Sequence, residues 1–179
     1  MDAITCIESR RSIRSFDQSR PVSHETIERI VAAAAFAPSW KNTQITRYIA
    51  LESEAKEKLA QCTNIWPKNG DIIRSASAVI AVTFVSGRSG YERDGSFSTP
   101  LEDRWQYFDT GIATEAFLLA AHTEGVGSVV LGLYDDNAAD VIGVPEGQKL
   151  VALIPIGYHT DSPACPPRKT AADLLSYRS

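Results

Sequence analysis

A chain of 179 residues with 44% apolar and 22% charged side chains can bury roughly 70% of its unfolded surface around one core without a disulfide or metal staple. Its three cysteines (Cys6, Cys62, Cys165) and three histidines (His24, His122, His159) form neither a C-x-x-C pair nor an H-E-x-x-H pattern, which argues against a disulfide framework and a bound metal. A net charge of −4 argues against nucleic acid as the main partner, and with no apolar leader near Met1 and no run long enough to span a bilayer, the expected location is the cytoplasm.

In chain order, a first helix is predicted from Asp2 to Arg10. A turn after Phe16 leads to Ser23, a plausible N-cap with Glu25 in the first turn that follows it. Ile27, Ile30, Val31, Ala34 and Ala35 then follow the i, i+3, i+4, i+7, i+8 stripe of a buried helix face, which Pro38 ends. Ala37–Gln44, A-P-S-W-K-N-T-Q, is a polar loop before a strand at Thr46–Leu51; it is either a functional loop held by rigid neighbours or a plain connection. A short helix is expected at Glu54–Cys62, followed by a polar stretch from Thr63 to Gly70. Ala76–Val85 is β-branched and almost continuously apolar, as a strand buried on both faces should be.

Ser86–Arg104 has no periodicity and is expected to be a flexible lid or a segment ordered by a partner. Trp105–Glu124 is the longest helical pattern, with Ile112, Ala116, Leu119 and Ala120 on one stripe widened by Phe117 and Leu118; it is the expected central helix, stopped by Gly125. A strand with a glycine turn is expected at Gly127–Leu133, a brief helix at Asp136–Ile142, a buried strand at Leu150–Ile156 and a last helix at Ala171–Tyr177. Helices and strands interleave without strict alternation, so a central sheet wrapped by helices is expected.

One stretch stands apart. Glu8–Phe16, E-S-R-R-S-I-R-S-F, places Arg10, Arg11 and Arg14 within five residues of an acidic chain. If the first helix continues, Arg10 and Arg14 share a face and repel mildly; a phosphate would turn that into attraction, because guanidinium forks donate paired, charge-assisted hydrogen bonds to its oxygens. Ser12 adds a hydroxyl. The plainer alternative is a solvated basic face at a helix end.

Four motifs resemble, in order, those of the nitroreductase family of FMN-dependent oxidoreductases: R-R-S-I-R at Arg10–Arg14, A-P-S-x-x-N-x-Q at Ala37–Gln44, L-L-A-A-H-T-E-G-V-G-S at Leu118–Ser128, and I-P-I-G-Y followed by Pro167-Arg168. The resemblance covers essentially the whole chain. It implies one α+β domain over 1–179, a three-layer α-β-α sandwich with a central mixed sheet, working as an intertwined homodimer with two FMN sites between subunits. On that resemblance Arg10, Ser12 and Arg168 hold the phosphate and ribityl chain, and Arg14 lies near the pyrimidine end of the ring. Asn69 sits on the same polar edge. Pro38, Ser39, Asn42 and Gln44 reach over from the partner, and backbone groups of Val130, Leu131 and Gly132 face flavin N5. A fixed cation beside N1 and O2 stabilises the reduced ring, which suits an arginine such as Arg14; no side-chain acid or base is then needed.

The chain also departs from the family pattern. Trp40 and Lys41 follow the Pro-Ser pair, and Trp40 either narrows the substrate pocket or packs in the dimer interface. Pro166 stands where some relatives carry a second basic residue, which shifts phosphate binding onto Arg10 and Arg11. The expected activity is a ping-pong transfer from NADH or NADPH, through FMN, to a flat electron-poor small molecule such as a nitroaromatic or quinone. The alternative is a flavin- or anion-binding module without turnover, with Trp40 blocking N5. A hydrolase ranks far lower, since there is no G-x-S-x-G.

Overall fold

The computed structural model describes residues 1–178. Its sheet is built around the continuous apolar run foreseen in the sequence: β2 (Ala78–Val85) pairs antiparallel with β1 (Thr46–Leu51) on one side and β4 (Gln148–Gly157) on the other. The two-residue β3 (Gly127–Ser128) closes the order β1-β2-β4-β3. The strand expected over Gly127–Leu133 is therefore mostly a loop, although Leu131 returns to bridge Leu153. Every ladder between these strands is antiparallel; the parallel component of the expected mixed sheet is a single bridge, Ser12 to Ser128.

Side-chain alternation along β2 creates the layers. Ala78, Ile80 and Val82 face a cluster containing Ile27, Ile30 and Ala34 of α2 (His24–Ala34) and Phe117, Leu118 and Ala121 of α5 (Arg104–Thr123). Val79 and Ala81 face the opposite cluster, with Leu59 and Ala60 of α3 (Ser53–Ala60), Ile73 of α4 (Pro67–Ser75) and Ala138 of α6 (Ala138–Ile142). The result is the expected α-β-α sandwich. The N-terminal α1 (Ala3–Ser9) and the short α7 (Ala171–Leu174) complete the described elements.

Further expectations change. The stretch Thr63–Gly70 is not all loop: Pro67 starts α4, where its fixed φ and missing N–H cost nothing. The buried face of α5 is Gln106, Asp109, Thr110, Ala113, Phe117 and Ala121, rotated from the expected stripe; Ile112, Ala116, Leu119 and Ala120 are only half-buried. The last helix ends at Leu174 rather than Tyr177.

The segment 86–104 is tied to its own chain instead of lying open. Ser89 is fully buried, Gly87 N–H donates to Gln106 Oε1 at 2.6 Å, and Tyr91 bridges Phe97. Gly90 (φ +86) approaches the Glu102 carbonyl so closely that a Cβ would lie 2.2 Å from its oxygen. No helix of the described residues is long and apolar enough to cross a membrane.

Candidate functional site

The arginine segment is not helical. α1 stops at Ser9, and Arg10 turns extended (φ −56, ψ 134) because the following backbone pairs with β3: Ser12 bridges Ser128, and Ile13 N–H donates to Ser128 O at 2.9 Å. Arg10 and Arg14 therefore do not share a helix face, as the continued helix would have required. Extension gathers the residues by a different periodicity, since alternate side chains of an extended chain fall on one side. Arg10, Ser12 and Arg14 are such a set, and Ile13 between them is buried in a small cluster with Phe16 and Ala76.

Arg10, Arg11, Ser12 and Arg14 line a cavity of about 240 Å³ with Pro163, Ala164, Pro166 and Arg168 of the C-terminal tail. Four arginines thus line one cavity, three from the segment after α1 and one from the tail, with no carboxylate among its lining residues. Among the described residues none of the four pairs with an acid. Arg11 is held by carbonyls, donating from Nη1 to Glu8 O at 2.6 Å and to Arg10 O at 2.8 Å. The Arg10 Nε is buried and has no hydrogen-bond partner among the described residues. A buried donor without a partner costs the desolvation of that group, and cations gathered without a counter-charge call for an anion.

Behind the arginines is a smaller cavity of about 60 Å³, also lined by Arg10 and Arg11, with Ser9, His122, Ser128 and His159. Ser9 Oγ meets His122 Nε2 at 2.8 Å. Burial, and then the charges of Arg10, His159 and Arg11, hold His122 below the ordinary histidine range.

The second predicted group lies elsewhere on the chain. Pro38, Ser39 and Gln44 line a groove of about 370 Å³ between α2 and β1, together with Tyr48, Asp109 and Ala113. Burial pushes the Tyr48 hydroxyl up to about 12, so it stays a donor, to Ala113 O at 3.2 Å. Asn42 is not on this groove, but its Oδ1 accepts from Gln44 Nε2 at 3.1 Å, and Ser39 Oγ accepts from Gln44 N–H at 3.0 Å. Neither the arginine cavity nor this groove contains residues of the other.

Trp40 packs on Trp105 of its own chain, ring centroids 4.6 Å apart. Asn69 is buried on α4 and donates from Nδ2 to Leu133 O at 2.9 Å, which ties it to the loop after β3. In that loop the Leu131 N–H and C=O are both used by Leu153, at 2.8 and 3.0 Å, whereas Val130 and Gly132 are exposed and their N–H groups have no partner among the described residues. Of the three residues the resemblance aimed at N5, Val130 and Gly132 are the ones with an N–H to offer a ligand.

The sequence did not single out Asp109. It is 3% exposed on the buried face of α5 and accepts from Trp40 N–H at 2.9 Å and from Ser89 Oγ. The signal was present: Gln106, Asp109, Thr110 and Ala113 follow i, i+3, i+4, i+7, a helical face with three polar residues where core is due.

Comparison with known proteins points to one family. The model of the Nitroreductase family matches residues 7–67 and 55–158. A protein of Archaeoglobus fulgidus, provisionally named an NADH dehydrogenase/NAD(P)H nitroreductase, is 32% identical over 166 residues, spanning 89% of this chain and 87% of its own length. A nitroreductase family protein of Clostridium novyi superposes with a TM-score of 0.75 at 27% identity, covering 90% of this chain and 87% of its own. A provisionally named nitroreductase of Desulfovibrio desulfuricans, solved in complex with FMN, superposes with a TM-score of 0.77 at 26% identity over 100% of this chain and 98% of its own. With two matched stretches that together run from residue 7 to residue 158, the chain belongs to the nitroreductase family of oxidoreductases.

Proposed function

We propose that residues 1–179 form one FMN-binding domain of a cytoplasmic homodimeric oxidoreductase, which takes electrons from NADH or NADPH and passes them to a flat, electron-poor small molecule such as a nitroaromatic or a quinone. The observation that carries this reading is the arginine cavity: four guanidinium groups, a serine hydroxyl and an orphaned buried Nε facing no acid, which fit a phosphate ester. The FMN complex of the Desulfovibrio desulfuricans relative supports the identity of that ester.

FMN, when bound, supplies two-electron hydride chemistry at N5. What this chain supplies is position and charge. Arg10, Arg11, Ser12 and Arg168 hold the phosphate and ribityl chain. Arg14, exposed and bonded only weakly to Ser12 O at 3.4 Å, is free to reach the pyrimidine edge and stabilise negative charge there. Asn69 fixes the loop that carries Val130 and Gly132. The separation of the arginine cavity from the Pro38–Gln44 groove supports the dimer, because two halves of one site that do not meet within a chain can meet between chains.

The test is the visible spectrum of the purified protein with FMN, followed without oxygen as NADH and then NADPH is added. Bleaching of the bound-flavin band near ~450 nm is expected. A bound flavin that neither donor bleaches would favour a binding module without turnover, and no bound flavin would sink both readings.

A further inference from the structure

We propose that Asp109 and Ser89 are positioning residues for the bound ring: they clamp both ends of the Trp40–Gln44 turn and so hold Ser39, Asn42 and Gln44 in a binding-ready arrangement. This rests on the flavin reading above and adds to it the part of the chain that fixes the loop.

The turn needs an outside restraint. Lys41, Asn42 and Gln44 are non-glycine residues at φ +44, +55 and +47, in the left-handed region that persists only where surrounding contacts over-determine it. Its internal bonds, Asn42 N–H to Ser39 O at 3.0 Å and Thr43 N–H to Trp40 O at 2.9 Å, set the shape of the turn but do not attach it to the body of the protein. Asp109 does. Its Oδ2 accepts the Trp40 N–H directly. Ser89 spends its one proton on the same oxygen, so in the 2.9 Å contact between Ser89 Oγ and Thr43 Oγ1 the donor is Thr43. The chain Thr43 to Ser89 to Asp109, met by Trp40 from the other side, thus brings both ends of the turn to one carboxylate on a rigid 20-residue helix. A buried carboxylate that spends itself on a loop rather than on a cation is poised to orient that loop.

The clamp also joins the two segments whose roles the sequence left open. Ser89 belongs to the 86–104 excursion, and the same two segments meet again in the Lys41–Glu92 ion pair at 2.8 Å and the Trp40–Trp105 contact. The excursion thereby serves as a brace for the turn.

Two flavins separate positioning from general stability. FMN and riboflavin share the ring and the ribityl chain and differ in the phosphate, so a residue acting on the ring side weakens both to a similar degree, whereas Arg10→Ala weakens FMN far more than riboflavin. Asp109→Ala is expected to weaken both by about tenfold or more, with a changed visible spectrum of the bound ring, and Asp109→Asn, which keeps an acceptor oxygen for Trp40 N–H, is expected to recover most of the loss. In the flavin-free protein, hydrogen exchange at the Trp40–Gln44 amides should quicken about tenfold in Asp109→Ala and stay near wild type in the β2 amides.

Should Asp109→Ala fail to fold, Ser89→Ala removes one arm and leaves the Trp40 bond, with about a threefold loss for both flavins expected. A folded Asp109→Ala or Ser89→Ala protein with wild-type affinity for both flavins, or one that loses FMN alone, would overturn the clamp while leaving the flavin reading intact. A wild-type protein that binds neither flavin would overturn the flavin reading itself, and that is seen before any substitution is made.

Discussion

Beside the proposed phosphate site, His122 faces Ser9, Arg10, Arg11 and His159 with no carboxylate on the same cavity, and its direction of titration is fixed by that company. Above its ordinary value of 6.5 it is neutral in folded and unfolded chains alike and contributes nothing to pH dependence. As the pH falls below that value, the unfolded chain takes up a proton that the folded chain refuses, so stability falls with acidification. His24 works in the opposite sense. Its 2.8 Å contact with Glu52 raises its pKa, which adds stability present below 6.5 and lost as the pH rises through the raised value. His122→Gln, which keeps a partner for Ser9 but cannot titrate, should therefore gain thermal midpoint relative to wild type as the pH goes from about 7.5 to about 5.5. A constant difference across that window would mean that His122 is not held neutral. At this scale the sequence was legible where chemistry concentrates by type: three arginines in five residues announced themselves. Asp109 was quieter: a lone acid in a helical stretch is usually a solvated residue, its helical spacing with Gln106 and Thr110 was the one hint, and its contacts with Trp40 and Ser89 fix its role.

Among the elements, α5 shows why a helix apolar around most of its circumference hides its orientation. With Ile112, Ala116, Phe117, Leu118, Leu119 and Ala120 all apolar, periodicity alone does not choose a face; the 87–89 turn chooses it, by engaging Gln106 and Asp109. The excursion that follows β2 was unreadable for a related reason. Its order comes from non-local bonds and one close approach rather than from any period. Gly90→Ala tests that order, since the new Cβ would meet the Glu102 carbonyl oxygen at 2.2 Å in a left-handed conformation. The backbone strain alone costs about 1–2 kcal/mol, and with the clash a loss of at least about 2 kcal/mol is expected, or roughly 4–8 °C of melting temperature for a chain of this size. A melting temperature within a degree or so of wild type would show that the excursion yields freely and braces nothing. Where local rules are strong, by contrast, sequence and structure coincide: Ser23 caps α2 through the Thr26 N–H, and β1 runs over the predicted Thr46–Leu51.

For the whole molecule, the layers follow from the alternation of β2, but they leave several large apolar side chains uncovered in the single chain. Phe36 is 90% exposed, Phe108 is 56% exposed, and the tail beyond β4 ends in Leu174, Leu175 and Tyr177 at 72%, 54% and 87%. Among the described residues no strand lies beside the outer edge of β1, and the groove between β1 and α2 is lined mainly by apolar residues, Ile27, Val31, Ala34 and Ile80 among them. Unpaired edges and exposed apolar side chains in one molecule are the usual marks of an interface. The proposed dimer would cover both were the tail of each chain to lie in the groove of the other, which would also bring the arginine cavity, partly lined by the segment leading into that tail, toward the partner's Pro38–Gln44 loop. Burying the three tail side chains is worth about 1.5–3 kcal/mol each; after the cost of ordering the tail, at least about a hundredfold in dimer affinity should depend on them. A chain truncated after Lys169 keeps all four arginines of the cavity. On the dimer proposal it should nevertheless sediment as a monomer at micromolar concentrations at which the full chain sediments as a dimer, and should bind FMN more weakly because the proposed second half of the site would be lost with the partner. If the truncated chain instead remains a dimer, the tail is not the fastening. If it becomes a monomer with undiminished FMN affinity, the Pro38–Gln44 loop has no part in the site.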